Sequence, residues 1–524
     1  MHFFSLVSAL ILGLAGCGSE AIESETPSAP QLQSTAPASG AVDVAYGSLE
    51  VVLSFDQNVK FPLSSLSLVG VDGGAAIETV HAYGADVKIK LNSLEPSTTY
   101  TLLVPEGTVY GYKGDSQPSA AEIRLSFTTV EKETDPAEIV PVDDNNIAWQ
   151  MSRKLGLGWN MGNQMDAFYN DVASETVWGN KKATQQTFTK LKSYGFSSVR
   201  IPITWLGHIG PAPDYKLDSE WLERVAEIVS YAEQAGLNCI INTHHDEENN
   251  DGHWLSVKRA LTSPSAKQEI TDELVAIWVQ IAERFKDKGE FLIFEPFNEL
   301  QDGGWGWSAA FKSNPTAQTD ILNEWNQAFV DAVRATGGNN ATRWLGVIGY
   351  AASSTFTIKY LELPEDPAGR LMVGFHSYDP YGYCIGGNYS QWGHTRTRDL
   401  GVKELDEKAL IDLLAPYYEK FVSKGIPVYI GEFGCTNRST EIERAFQRYY
   451  MEYFVKAAKT YGMPAFLWDN GVSYTENGEA LGYVDHATGE FMGQGKTLVG
   501  VMTKAMYTTD PSYTLESVYE NSAP

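Results

Sequence analysis

The sequence predicts a (β/α)8 barrel with a smaller all-β domain on its N-terminal side, and three observations predict it. From residue 156 onward, eight strand-like stretches alternate with helical ones. Five helical runs end in a glycine (Gly195, Gly236, Gly289, Gly425 and Gly462), and each leads straight into strand-like sequence: FSSVRIPIT, LNCIINTH, EFLIFEPFN, IPVYIGEF and MPAFLWD. Glycine suits that join because a helix stop commonly takes a left-handed backbone, which a residue without Cβ adopts freely. Between residues 42 and 130, short alternating runs such as LEVVLSF, DVKIKL and YTLLVP are broken by Gly, Asn and Pro, and none has helical period. That is the pattern of a β-sandwich. A doubly wound sheet is the alternative packing for the larger part.

Taken in order, the chain opens with FFSLVSALILGL (3–14), an apolar run shorter than the roughly 20 residues a membrane helix needs, followed by the small residues AGCG. This predicts a signal peptide. LAGC (14–17) resembles the bacterial lipobox, although no Lys or Arg precedes the apolar run. The resemblance implies cleavage after residue 16, lipid on the Cys17 thiol, and a lipid-anchored place in the cell envelope, at the outer membrane or cell surface. Residues 17–41, rich in Ser, Pro, Ala and Glu, read as a flexible tether. The sandwich at 42–130 resembles bacterial immunoglobulin-like repeats, which implies a spacer or a glycan-binding module. A polar linker (131–146), the barrel (147–510) and a C-terminal tail (511–524) complete the division.

Composition excludes some partners. The 524 residues carry 66 acidic against 39 basic side chains, a formal charge of −27, which repels phosphate backbones and acidic membrane surfaces. Nucleic acid is therefore not expected, contact with membrane is expected only through the lipid, and a monomer is expected. Thirteen Trp offer flat apolar faces for sugar rings or for core packing. Besides Cys17 there are three cysteines, an odd number that argues against a disulfide framework. Cys239 reads as core, while Cys384 and Cys435 lie just beyond neighbouring strands, where pairing stays open.

In this fold, chemistry sits where strands end. The last residues of successive predicted strands are Asn163, Arg200, His244, Asn298 with Glu299, His376 with Tyr378, Glu432, and Trp468 with Asp469. Polar groups hundreds of residues apart thus converge on one rim. The fourth strand, FLIFEPFNEL (291–300), also carries Glu295, an expensive charge in so apolar a run. Glu295 and Glu299 share strand parity, which puts Glu295 deeper in the barrel. It is read either as an ion partner of Arg200, on the strand next but one, or as a carboxylate bonded to hydroxyls and water. Pro296 cannot donate to a ladder, and an irregularity there lets Asn298 and Glu299 both reach the site.

The motifs VRIPITW, NTHHD, FEPFNE, FHSYDPY, YIGEFG and FLWDNG, in this order, resemble glycoside hydrolase family five, and LGWNMGN, ETVWGN, VRATGGNN and KGIPVYIGEFG resemble its endo-β-1,4-glucanase and xyloglucanase subgroup. One departure is Leu300, where relatives usually carry Pro. The resemblance implies a retaining endo-β-1,4-glucanase acting on xyloglucan or on other β-glucans, with Glu299 as acid/base and Glu432 as nucleophile. The residues agree with that chemistry. Hydrolysis of an acetal near neutrality needs one protonated and one ionised carboxyl, about 5 Å apart when configuration is retained. Arg200 and Tyr378 can donate to Glu432, Asn298 can hold a sugar hydroxyl, and His244, His376, Asn163 and Trp468 line the same wall. Loop aromatics Trp178, Trp254, Trp305, Trp307, Tyr381 and Trp392 are candidates for further subsites. HHDEENNDGH (244–253) lacks a recognised metal-ligand spacing, and GLGWNMG lacks the spacing of a dinucleotide loop, so neither metal nor cofactor is expected. The rival from another class is a surface glycan-binding protein on an inactive barrel, which would bind polysaccharide without releasing reducing ends.

Overall fold

The computed structural model describes residues 28–112, 118–130, 142–247, 253–474 and 479–524. Cys17 and the expected leader, and most of the 131–146 linker, lie outside the described residues. The chain divides into two compact units, Met1–Thr134 and Asp135–Pro524, each with its own core.

The first unit is a sandwich of two four-stranded sheets. Alternation along Gly47–Phe55, Asp86–Leu94 and Ile123–Thr129 turns Val51, Leu53, Val87, Ile89, Leu125 and Phe127 inward against Tyr100 and Leu102. Its first strand, Leu32–Ala36, pairs antiparallel with Gly47–Phe55, so the tether expected to reach residue 41 stops before Leu32. That edge strand is almost wholly exposed and is held by main-chain bonds, so its composition carries little apolar signal.

The second unit is a closed barrel of eight parallel strands: β1 (Leu157–Met161), β2 (Ser198–Ile201), β3 (Asn238–Asn242), β4 (Leu292–Glu295), β5 (Leu345–Ser353), β6 (Leu371–Ser377), β7 (Val428–Phe433) and β8 (Ala465–Asp469). Closure comes from β1 pairing with both β2 and β8. The helix Ser219–Ala235 shows how its neighbours are built. Asp218 caps it by accepting from the N–H groups of Glu220 and Trp221, Trp221, Val225, Ile228, Val229 and Ala232 are buried, and Gly236 ends it at φ 69°. Gly195, Gly425 and Gly462 likewise take positive φ. Gly289 does not, because the helix Pro264–Arg284 has already stopped and a turn intervenes.

The residues expected to form a C-terminal tail instead fold as the helix Leu515–Ser522, capped reciprocally by Thr514 and Ser517. Leu515 and Val518 are buried in the barrel's core, and Tyr519 stacks on His394 at 3.9 Å. The spacing i, i+3, i+4 of those three residues puts them on one face. All three barrel cysteines are free thiols.

Candidate active site

The site is organised by Arg200 on β2, whose side chain is wholly buried. A guanidinium has five N–H donors, and here every one is used. Nε donates to Glu295 (3.2 Å), Nη1 to Asn160 (3.0 Å) and Glu432 (2.7 Å), and Nη2 to Glu295 (2.7 Å) and Asn298 (2.7 Å). Four strands or strand ends are therefore tied to one charge. Burial works against that charge, but Glu295 and Glu432 hold Arg200 firmly ionised.

Glu295 is the ion partner of Arg200. Its remaining capacity is filled by Asn242 Nδ2 at 2.9 Å and by the Tyr429 hydroxyl at 2.6 Å. Burial opposes ionisation, yet the guanidinium keeps Glu295 below the usual carboxylate range. Two strand glycines make room for this arrangement. A Cβ on Gly346 would sit 2.4 Å from the Tyr429 hydroxyl, and one on Gly374 would sit 2.5 Å from its ring.

Above this layer lie Glu299, just past β4, and Glu432, near the end of β7. A carboxylate oxygen of each and a ring nitrogen of His376 all fall within 4.8 Å of one another. The two carboxyls have unlike surroundings. Glu432 accepts from Arg200 and from the Tyr378 hydroxyl at 2.9 Å. Burial raises its pKa, the Arg200 charge offsets part of that rise, and the two hydrogen bonds it accepts favour the anion. Glu299 lacks a direct bond to the guanidinium, and burial pushes its pKa up to about 7. Its side chain keeps 21% exposure, enough to meet a ligand.

His376 Nδ1 shares a 2.7 Å hydrogen bond with Glu299 and lies 3.7 Å from Glu432. Burial lowers the pKa of this imidazole to about 4, so it is neutral between the two acids. Gly431 allows the ring in, since a Cβ there would stand 3.0 Å from Nε2.

His244 carries a fixed proton. Asn242 Oδ1 accepts from Ile203 N–H (3.2 Å), so its Nδ2 points to Glu295 and, at 3.2 Å, to His244 Nδ1. His244 Nδ1 is thus an acceptor, and Nε2 is left as a donor. The ring stacks parallel to Trp468 with centroids 5.7 Å apart. His244 approaches His245 and Asp166 closely enough to be considered for a metal. The fixed proton on Nε2 takes away the lone pair a metal would need. Asp166 in turn accepts from the N–H groups of Asn163 (3.0 Å) and Gln164 (2.6 Å).

Of the predicted site residues, the structure brings together Arg200, Asn298, Glu299, His376, Tyr378 and Glu432, with His244 and Trp468 beside them. The first strand ends two residues earlier than expected, at Met161, and Asn163 sits in the loop beyond it at φ 56°. Arg200 meets Asn160, within β1. A polar side chain inside a fully buried strand was the signal for Asn160, as it was for Glu295. Glu247 also escaped notice. It is a buried third carboxyl beside Asn298, and burial with the nearby Glu299 pushes its pKa well up. Two of the loop aromatics are core. Trp254 donates to Asp246 at 2.9 Å, and Trp392 packs among Tyr449, Tyr450 and Tyr453. Trp178, Trp305, Trp307 and Tyr381 are exposed.

Residues 163–473, more than half of the chain, match the family described as Cellulase (glycosyl hydrolase family 5). The chain belongs to glycoside hydrolase family 5. As a family 5 enzyme it also carries a bacterial Ig-like domain, matched over residues 26–129. It is similar to Endoglucanase A of Paenibacillus barcinonensis, 36% identical over 342 residues, which cover 62% of this chain and 82% of that one. Among solved structures it is similar to a GH5-4 broad-specificity endoglucanase from Bacteroides salanitronis, at 46% identity and TM-score 0.67 over 72% of this chain and all of that one. It is also similar to a family 5 xyloglucanase from Paenibacillus pabuli, at 33% identity and TM-score 0.62 over 68% of this chain and all of that one. The paired, unequal carboxyls have the geometry that hydrolysis by a family 5 glycosidase needs.

Proposed function

We propose that this family 5 endo-β-1,4-glucanase retains anomeric configuration and prefers xyloglucan. The observation that carries the reading is the pair Glu299 and Glu432, with carboxyl oxygens within 4.8 Å and different hydrogen-bond environments. Retaining glycosidases hold their carboxyls about 5–5.5 Å apart, whereas inverting ones leave roughly 6.5–9.5 Å for a water.

Glu432, ionised and oriented by Arg200 and Tyr378, attacks the anomeric carbon. Glu299 delivers its proton to the departing glycosidic oxygen, and its pKa near 7 keeps that proton available. Asn298, its carbonyl held by Arg200, turns its amide N–H to the hydroxyl beside the reacting carbon. In the second step Glu299 takes a proton from water, which opens the glycosyl ester on Glu432. His376 keeps Glu299 in place throughout, and its neutrality avoids a competing charge.

The xyloglucan preference is supported by the likeness to the Paenibacillus pabuli enzyme, while the Bacteroides salanitronis enzyme is named for broad specificity. Initial rates on xyloglucan, mixed-linkage glucan, carboxymethyl cellulose and mannan test the preference. Xyloglucan is expected to be fastest and mannan slowest. A clear lead for mannan would overturn the subgroup reading.

A further inference from the structure

Two buried cysteines beside the hydrolytic centre take no part in the chemistry above. Cys384 closes the short helix Tyr381–Cys384 in the loop after β6, and Cys435 lies three residues beyond Glu432. Both are fully buried. The main chains run one hydrogen bond apart there, because Thr436 gives both its N–H and its hydroxyl to the Cys384 carbonyl, each at 2.8 Å. The two cysteines are thereby held side by side, and each bears on the acidity of the other.

Their surroundings are unusual for a packed core. Arg438 Nη2 stands 3.7 Å from Cys435 Sγ, with its guanidinium carbon 4.6 Å over the Tyr383 ring. The buried Tyr383 hydroxyl lies against Cys435 and finds no regular hydrogen-bond partner. Cys239 provides the contrast. It is equally buried but has no such neighbours, and burial pushes its thiol far up. At Cys435 burial acts the same way, but the bond from Cys384 and the charge of Arg438 outweigh it and bring the thiol down to about 7. The thiolate is the reactive form of cysteine, and a guanidinium beside it is a known way to stabilise it.

We propose that Cys384 and Cys435 are a redox pair that closes to a disulfide on meeting a disulfide oxidant, clamping the loop that carries Tyr378 to the strand that carries Glu432. In the first step the Cys435 thiolate attacks one sulfur of the oxidant, forming a mixed disulfide and releasing one thiol. The Cys384 sulfur gives up its proton and attacks Cys435 Sγ in that mixed disulfide, expelling the second thiol. The enzyme loses two electrons and two protons, and the oxidant disulfide becomes two thiols.

The test uses the full chain, equilibrated in glutathione buffers of increasing oxidised fraction, quenched with acid, unfolded, alkylated and mapped by mass spectrometry. A parallel sample is unfolded and refolded in the same buffers, which gives the oxidant access to the buried sulfurs. The expected result is a linked pair of peptides containing Cys384 and Cys435, with Cys239 alkylated. The melting temperature should rise by about 3–5 °C on oxidation and fall back with dithiothreitol, as closing a loop of this length in the unfolded chain implies. Cys435→Ser should melt at one temperature in every buffer. Recovery of both cysteines as alkylated thiols after oxidative refolding overturns the proposal. A redox-dependent melting temperature in Cys435→Ser also overturns it.

Discussion

Glu299 and Glu432 are the same residue type in the same groove, and what separates them is their partners, a guanidinium and a phenol for Glu432 and an imidazole for Glu299. Burial raises both pKa values, and Arg200 bonds directly to Glu432 and not to Glu299, which favours the anion at Glu432. This has a direct consequence for pH. The active form needs Glu299 protonated, so kcat/KM on polymer should fall as pH rises through about 7, where Glu299 loses its proton. Glu299→Gln should lower polymer turnover by about 10²–10⁴-fold and remove that basic limb. An aryl glycoside whose leaving group needs no proton should lose far less. Equal losses on both substrates would contradict the acid role. Glu295 makes the opposite case. Glu295→Gln keeps the shape but leaves Arg200 with one carboxylate fewer, which should cost about 3 kcal/mol or more in urea unfolding. Turnover by the protein that remains folded should change less, and unchanged stability with lost turnover would count against the structural role.

At the scale of elements, the loop after β4 stands out as built rather than slack. The Asp302 carboxylate gathers Gly304 N–H (3.0 Å), Gln318 (2.8 Å), Tyr350 (2.9 Å) and Ser308. Gln301 holds Trp305 N–H at 3.0 Å, and Trp305 sits at φ 50°, a backbone region a bulky residue rarely adopts. The result is a braced turn presenting Trp305 and Trp307 at 48% and 75% exposure. With Glu299 as the proposed acid, the loop that follows it is expected to border the leaving-group side of the cleft. Replacing both tryptophans with Ala should lower kcat/KM on polymer by about three- to tenfold, the worth of one or two lost ring contacts. Aryl cellobioside hydrolysis, with no sugar on that side, should stay unchanged. A matching loss on the aryl substrate would move these rings elsewhere.

Across the whole molecule, what was legible in the sequence follows from how local each signal is. Eight strands could be read because helix-stopping glycines and buried β runs are written within ten or so residues, and the rim residues followed from fold polarity. Glu295 could be read because charge in an apolar strand demands a partner. The end of β1 fell two residues short of Asn163 because a strand's end depends on its neighbours' register, which pairs Asn160 with Arg200. Trp254 and Trp392 could not be told from Trp305 and Trp307 because exposure depends on which distant segment lies over a ring. The Leu32–Ala36 strand was hidden for the complementary reason: an exposed edge is held by main-chain bonds and needs no apolar pattern.

The full commitment of the Arg200 guanidinium has one more implication. With every donor engaged by groups from three other staves of the cylinder, none of these four staves can slide without breaking a bond in the catalytic layer. Heat should therefore switch this enzyme off in one step, the loss of hydrolysis and the opening of the cylinder being the same event.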